Sequence, residues 1–180
     1  TAAGGLDFIT LPMRWLDMEP NEGKYAFAKT DRWIEWAVTK AKLPVTAGPL
    51  LDLDPSCVPE FLYIWEHDYE TLRDVIFEHV KTIVTRYRRT VTTWTVCSGL
   101  HATGALTLSA EQALDLTRGC VTIVRKLQPA AKVQIEISQP WGEHTAMQGG
   151  AKTIPPMLYC EWLNQLPIAY DALGIRLQMG

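Results

Sequence analysis

Apolar and polar positions alternate along this chain in two rhythms that take turns. Short runs that are apolar or alternate at period two read as strands: Leu6–Ile9, Leu43–Ala47, Val91–Cys97, Lys132–Ile137 and Tyr170–Leu177. Between them, apolar residues recur every three to four positions, as on one face of a helix. The first helix is expected from a Thr30-Asp31 cap to about Lys42, with Trp33, Ile34, Ala37 and Val38 on one stripe and Trp36 beside it. The Trp residues of that stripe are expected in the core. The longest helix starts at Asp68 and carries Leu72, Val75, Ile76, Val80, Ile83, Val84 and Tyr87. His79 lies beside that stripe and reads as packed or surface-lying rather than catalytic. Ser109 with Gln112 forms a capping box. The helix it opens carries Ala113, Leu116, Cys120, Val121, Val124 and Leu127, and Pro129 closes it. Pro155-Pro156 opens a last helix to about Leu166, with Pro at the first turn where its missing N–H costs nothing.

Five strands alternating with four helices describe a parallel α/β sheet, and every connection is long enough for a right-handed crossover. Chemistry in such folds sits on loops at the carboxyl ends of the strands. The stretch from Trp94 to His101 is a buried strand that stops at small residues and releases into a polar loop, so Ser98 to Gly104 should border an active site. The chain has no G-x-G-x-x-G, no Walker loop and no G-x-S-x-G, so the usual nucleotide and hydrolase-elbow signatures are missing. A doubly wound sheet and a (β/α)₈ barrel both fit. A full barrel takes roughly 250 residues, so these 180 residues would hold part of one.

Composition narrows the partners. The chain is 47% hydrophobic and 21% charged with a net charge of −3, ordinary for one globular domain. Arg86, Arg88 and Arg89 form the basic cluster, at a helix C-terminus where cations complement the dipole, and nucleic acid is not expected as a partner. No apolar run approaches the ~20 residues of a membrane-spanning helix. Cys57, Cys97, Cys120 and Cys160 are widely spaced, without a CxxC or a Cys/His pair at metal-ligand spacing. No metal or cofactor is expected, and buried free thiols are the expected state of Cys97 and Cys120. The loop Leu50–Pro59 carries Asp52 and Asp54 two residues apart, and Asx-turn chemistry before Pro55 accounts for the pair. The loop Ser138–His144 carries Trp141, Glu143 and His144 after the fourth of the predicted strands. The compartment is not legible; a secreted or periplasmic protein is compatible.

Several landmarks, in order along the chain, resemble glycoside hydrolase family 10, the xylanase family built on a (β/α)₈ TIM barrel. Met13-Arg14-Trp15, Glu19-Pro20 and Gly23-Lys24-Tyr25-Ala26-Phe27 resemble that family's Met-Lys-Trp…Glu-Pro…Gly-x-aromatic-x-Phe segment after its second strand. Arg86-Tyr87 followed by Val91-x-x-Trp94-x-Val96 is similar to the approach to its fourth strand, and Asp171-Ala172-Leu173-Gly174-Ile175 to its sixth. The resemblance implies an incomplete TIM barrel over residues 1–180, covering about strands two to six. It also implies a carbohydrate-active domain hydrolysing O-glycosyl bonds of a xylan-type polysaccharide. Such a retaining family needs two carboxylates about 5–5.5 Å apart, and its nucleophile, on strand seven, has no counterpart here. Its acid/base Glu falls at Gly99, the preceding Asn at Ser98, and its sugar-binding Glu-Asn pair at Thr10-Leu11. Arg14, standing for the Lys, keeps its chemical type.

The residues expected to carry chemistry are therefore Glu143 and Glu136 as catalytic carboxylates. Arg14, Trp15, Asp52, Ser98, His101 and Trp141 are expected to bind substrate, with Trp141 stacking on a sugar ring. The expected partner is a polysaccharide or oligosaccharide. A non-catalytic carbohydrate-binding barrel and an unrelated α/β enzyme are the alternatives. An isolated arc also exposes two unpaired strand edges, so a longer natural protein or self-association is expected.

Overall fold

The structure, a computed structural model, describes residues 5–102, 104–141 and 153–177. Its strands are β1 (Ile9–Leu11), β2 (Val45–Ala47), β3 (Leu51–Asp52), β4 (Val91–Ser98), β5 (Lys132–Ile137) and β6 (Ala172–Ile175). They pair in the order β1-β2-β4-β5-β6, with β3 also on β4, and every pairing is parallel. Spatial order thus follows chain order without reversal. That is the arc of a barrel and not a doubly wound sheet, in which the order turns back at a switch point.

The short β3 adds a sixth strand to the five expected. Leu51 and Asp52 were expected in a loop, but they pair with Cys97 and Ser98. β2 and β3 are two pieces of one edge along β4, interrupted at the cis Gly48–Pro49 bond. After the interruption the Leu50 N–H donates to Thr95 O at 3.0 Å, which returns the chain to the sheet. Gly48 has φ 135°, and a Cβ there would lie 2.2 Å from Thr95 O, so the close approach requires glycine. The first strand is also displaced from its expected range. Leu6 and Phe8 are more than half exposed, and pairing starts only at Ile9.

The helices lie on one face of the sheet. They are α1 (Trp15–Met18), α2 (Ala28–Glu35, continued by a π-helical turn Trp36–Ala41), α3 (Tyr69–Tyr87), α4 (Ala110–Leu127) and α5 (Pro156–Gln165), with a 3₁₀ segment Glu60–Trp65. Asp68 caps α3 by accepting from Thr71 N, and the Ser109–Gln112 capping box of α4 forms with both of its bonds. The predicted stripes are buried: Ile76, Val80, Ile83 and Val84 of α3 and Leu116, Cys120 and Val124 of α4 are wholly inside. They pack on Trp94, Val96, Val133 and Ile135 of the sheet within one core. Each such side chain contributes roughly 1.5–3 kcal/mol by leaving water. At Gly119 an added Cβ would lie 2.1 Å from the Phe77 ring, so α3 and α4 approach there as closely as a bare backbone allows.

Two expectations about α2 are corrected. The helix starts at Ala28, not at a Thr30-Asp31 cap, because Asp31 spends its carboxylate on Arg86 and Tyr87 (2.8 Å to the Tyr87 hydroxyl) instead. Ile34 and Ala37 form the buried stripe, whereas Trp33 and Trp36 stand 50% and 37% exposed, edge to face with each other. His79 is packed inside α3's stripe, with its Nδ1 3.1 Å from Glu19 Oε2. The cysteines are free, with Cys97 and Cys120 in the core. No helix among the described residues is long and apolar enough to cross a membrane.

The opposite, concave face of the sheet is polar. Thr10 pairs in register with Thr46, and Thr46 with Thr93. Gln134 Nε2 donates to Thr95 Oγ1 at 2.7 Å. These residues and Glu136 line a cavity of about 640 Å³. Complete barrels fill this space mainly with branched apolar layers; here threonine and amide groups occupy it.

Candidate functional site

Register brings the site together. Asp52 pairs with Ser98, Ser98 with Glu136, and Glu136 with Gly174, so three polar side chains fall in one row near the carboxyl ends of β3, β4 and β5. Arg176 follows Gly174 by two residues and is fixed by its N–H donating to Ile137 O at 2.8 Å. Its guanidinium reaches back over the row. Nη2 lies 3.0 Å from Asp52 Oδ2, and Nε lies 2.7 Å from Glu136 Oε1. Ser98 Oγ donates to the same Glu136 oxygen at 2.7 Å. One planar cation thus bridges two carboxylates, giving one N–H to each. Burial opposes the Arg176 charge, but the Glu136 and Asp52 carboxylates outweigh it and hold its pKa above the ordinary arginine value.

The loop after β3 is built on carboxylate-capped turns. Asp52 Oδ1 accepts from Asp54 N, and Asp54 Oδ1 accepts from both Ser56 N and Ser56 Oγ. The bonds from Ser56 hold the Asp54 pKa below the ordinary value. The Asx-turn reading of this pair is therefore right, and Asp52 carries a second role by pairing with Arg176.

Above the row opens a cavity of about 310 Å³, bordered by Asp52, Asp54, Gly99, Gln139, Trp141 and Arg176 among others. Trp141 stands at its edge, 78% exposed. Gln139 holds a left-handed backbone with φ 48°, and its buried Oε1 has no hydrogen-bond partner. Gly99 is also left-handed at φ 65°, and its N–H donates to Glu136 O. A Cβ at Gly99 would lie 2.4 Å from Ser138 Oγ.

The structure sorts the expected site residues. Asp52 and Trp141 border this cavity with Gly99, and Glu136 is joined to them through Arg176 from the side of the threonine-lined cavity. Ser98 belongs to the row but is 1% exposed, so it orients Glu136 from behind instead of meeting a ligand. Trp15 is not available for substrate. Its ring is 2% exposed, stacked 4.0 Å from His79, with Nε1 donating to Glu19 Oε2 at 2.8 Å. Burying an indole whose N–H finds a carboxylate is core chemistry. His101 is also withdrawn, at 1% exposure against Tyr159. Arg14 lies away from the cavity, bound to the exposed Asp17 at 2.8 Å. Glu143 and His144 fall outside the described residues. Sequence reasoning missed Arg176, Gln139 and the buried Glu19–His79 pair. Arg176 was within reach, since it directly follows the last strand at the edge where chemistry collects. Among the described residues no group of His, Cys, Asp and Glu is placed to hold a metal ion.

Residues 9–113 match the model of glycosyl hydrolase family 10. The chain belongs to that family. Solved family 10 structures share its fold. A family 10 protein from Paenibacillus barcinonensis is 21% identical with TM-score 0.68, over 92% of this chain and 52% of its own. Xylanase 10B from Thermotoga petrophila, solved with xylobiose, is 15% identical with TM-score 0.67, over 92% and 50%. A Cellvibrio japonicus xylanase variant, solved with xylopentaose, is 19% identical with TM-score 0.67, over 92% and 34%. At these identities the likeness shows the fold. The chain spans about half the length of the first two, and its six-strand arc is a partial family 10 barrel.

Proposed function

We propose that this glycoside hydrolase-like domain holds a xylan-type polysaccharide along the carboxyl-end cleft, and that the whole protein acts on its O-glycosyl bonds. The observation that carries the proposal is the joined row Asp52–Arg176–Glu136–Ser98 beneath an open cavity, with Trp141 at the edge. Carboxylates that accept hydroxyl protons, a guanidinium that donates, and an exposed indole face are the groups that hold sugar rings. The neighbours solved with xylobiose and xylopentaose support the choice of sugar by kinship of fold.

Retention at the anomeric carbon takes two carboxylates about 5–5.5 Å apart, one of them first protonated. Glu136 Oε1 already accepts from Ser98 and Arg176, which suits a hydrogen-bond acceptor better than a proton donor. Glu143, six residues after β5 in sequence, is the carboxylate proposed as the acid. The family resemblance puts the nucleophile on a strand that residues 1–180 do not supply.

A second reading, binding without hydrolysis, is favoured by one observation. By the family resemblance the acid/base Glu falls at Gly99, which is left-handed and crowded by Ser138. Reducing-end release from xylan by the whole natural protein, beside Glu143→Gln and Glu136→Gln variants, tests both readings. Hydrolysis abolished by Glu143→Gln supports the first. Retained xylan binding without hydrolysis selects the second. Neither binding nor hydrolysis would refute both.

A further inference from the structure

We propose that the cleft selects uncharged stretches of its polysaccharide and rejects uronate-bearing ones, with Asp54 setting that preference; this rests on the polysaccharide reading above. Among the described residues that line the cavity, Asp52 and Asp54 stand against the single cation Arg176, and Glu136 adds a third carboxylate from behind the guanidinium. Arg176 is already engaged by two of the three carboxylates, at 3.0 and 2.7 Å. A ligand carboxylate would have to compete with both for the guanidinium while approaching a net negative wall. Asp54 is the carboxylate left over. It is exposed, its Oδ1 is held by Ser56 N and Oγ, and both of those bonds survive when the carboxylate becomes an amide.

An uncharged sugar meets none of this opposition. Its hydroxyls donate to carboxylate oxygens and accept from a guanidinium N–H, and they satisfy a set that anions cannot.

The test is a calorimetric titration of the whole natural protein at low salt with three ligands. They are linear xylohexaose, the same chain bearing one glucuronate branch, and the methyl ester of that branched sugar. The uronate chain should bind about tenfold more weakly than the linear one, the size expected for one like charge at short range in a half-solvated site. The ester, equal in bulk but uncharged, should bind within about threefold of the linear chain. Asp54→Asn should narrow the tenfold gap between the linear and the uronate chain to about threefold. Equal binding of uronate and linear chains would overturn the inference and leave the polysaccharide reading standing. So would an ester as weak as the acid, which would make the exclusion steric, or a gap unmoved by Asp54→Asn. If none of the three binds, the polysaccharide reading falls and the inference with it.

Discussion

If, as proposed, Gly99 stands where the family has its acid/base Glu, Gly99→Glu would restore that residue at the exit of β4, and the structure says that it should damage the protein rather than repair it. Two costs add. Gly99 sits at φ 65°, a conformation that costs an L-residue about 1–2 kcal/mol. Its Cβ would then stand 2.4 Å from Ser138 Oγ and 3.3 Å from Ser138 Cβ, an overlap that typically costs about 1–3 kcal/mol to relax. The sum is about 2–5 kcal/mol, or roughly 4–20 °C of Tm for a unit of this size. Thermal unfolding of the whole natural protein measures it. Gly99→Ala should account for most of the loss, because both costs arise at Cβ. Adding Ser138→Gly should recover the steric part and leave the backbone part, a non-additivity of about 1–3 kcal/mol between neighbours. Xylan hydrolysis by Gly99→Glu should stay at the parent's level. A variant with unchanged Tm and newly gained hydrolysis would refute the reasoning.

Other consequences can be measured directly. Glu19 and His79 should make stability fall on acidification. Burial of His79 holds its pKa below the ordinary 6.5, and the bonds from His79, Gly23 and Trp15 hold Glu19 below its ordinary 4.5 against the opposing effect of burial. With both folded values depressed, the unfolded chain binds more protons. Stability is therefore full above about pH 6.5 and is lost first through the histidine range, then the carboxylate range. A Tm series from pH 8 to pH 4 should show the decline, and His79→Gln should flatten its upper part; a parent Tm that rises below pH 6 would contradict this. Asp31→Ala removes the acceptor for both Arg86 and the Tyr87 hydroxyl and should cost about 1–2 kcal/mol in denaturant unfolding, most of it from Tyr87 because the arginine pair is well exposed. Gly119→Ala should cost about 1–3 kcal/mol by forcing Phe77 aside, and less in a Phe77→Leu background.

Much of the fold was legible because burial follows periodicity. The stripe of α3 and the alternation of β5 are buried as the sequence expects, since a strand or helix with one apolar face has one stable orientation on a core. The capping box at Ser109 announced a helix start because its hydrogen bonds are local. Errors arose where a distant partner decided. Asp31 reads as a helix cap until Arg86, on another helix, takes its carboxylate. Leu51–Asp52 reads as loop because a two-residue strand has no period, and only β4 beside it makes it a strand. Of the residues expected to carry chemistry, the structure brings some together and not others. Asp52 and Glu136 were expected to carry chemistry, and the structure brings them together through Arg176 near the carboxyl ends of β3 and β5. Trp15 was misjudged because an aromatic in a sugar-binding family looks like a platform, while its burial depends on His79 and Glu19, far away in sequence. Arg176 was missed because its meaning lies in two carboxylates 40 and 124 positions upstream.

The most direct test of the account is the affinity of the whole natural protein for linear xylohexaose, compared with that of an Asp52→Ala variant whose Tm shows that it remains folded. The cleft described here predicts measurable binding in the parent and a loss of at least about tenfold in the variant, because Asp52 both faces the cavity and positions Arg176. Parent binding that survives Asp52→Ala unchanged, or no binding by the parent at all, would contradict it.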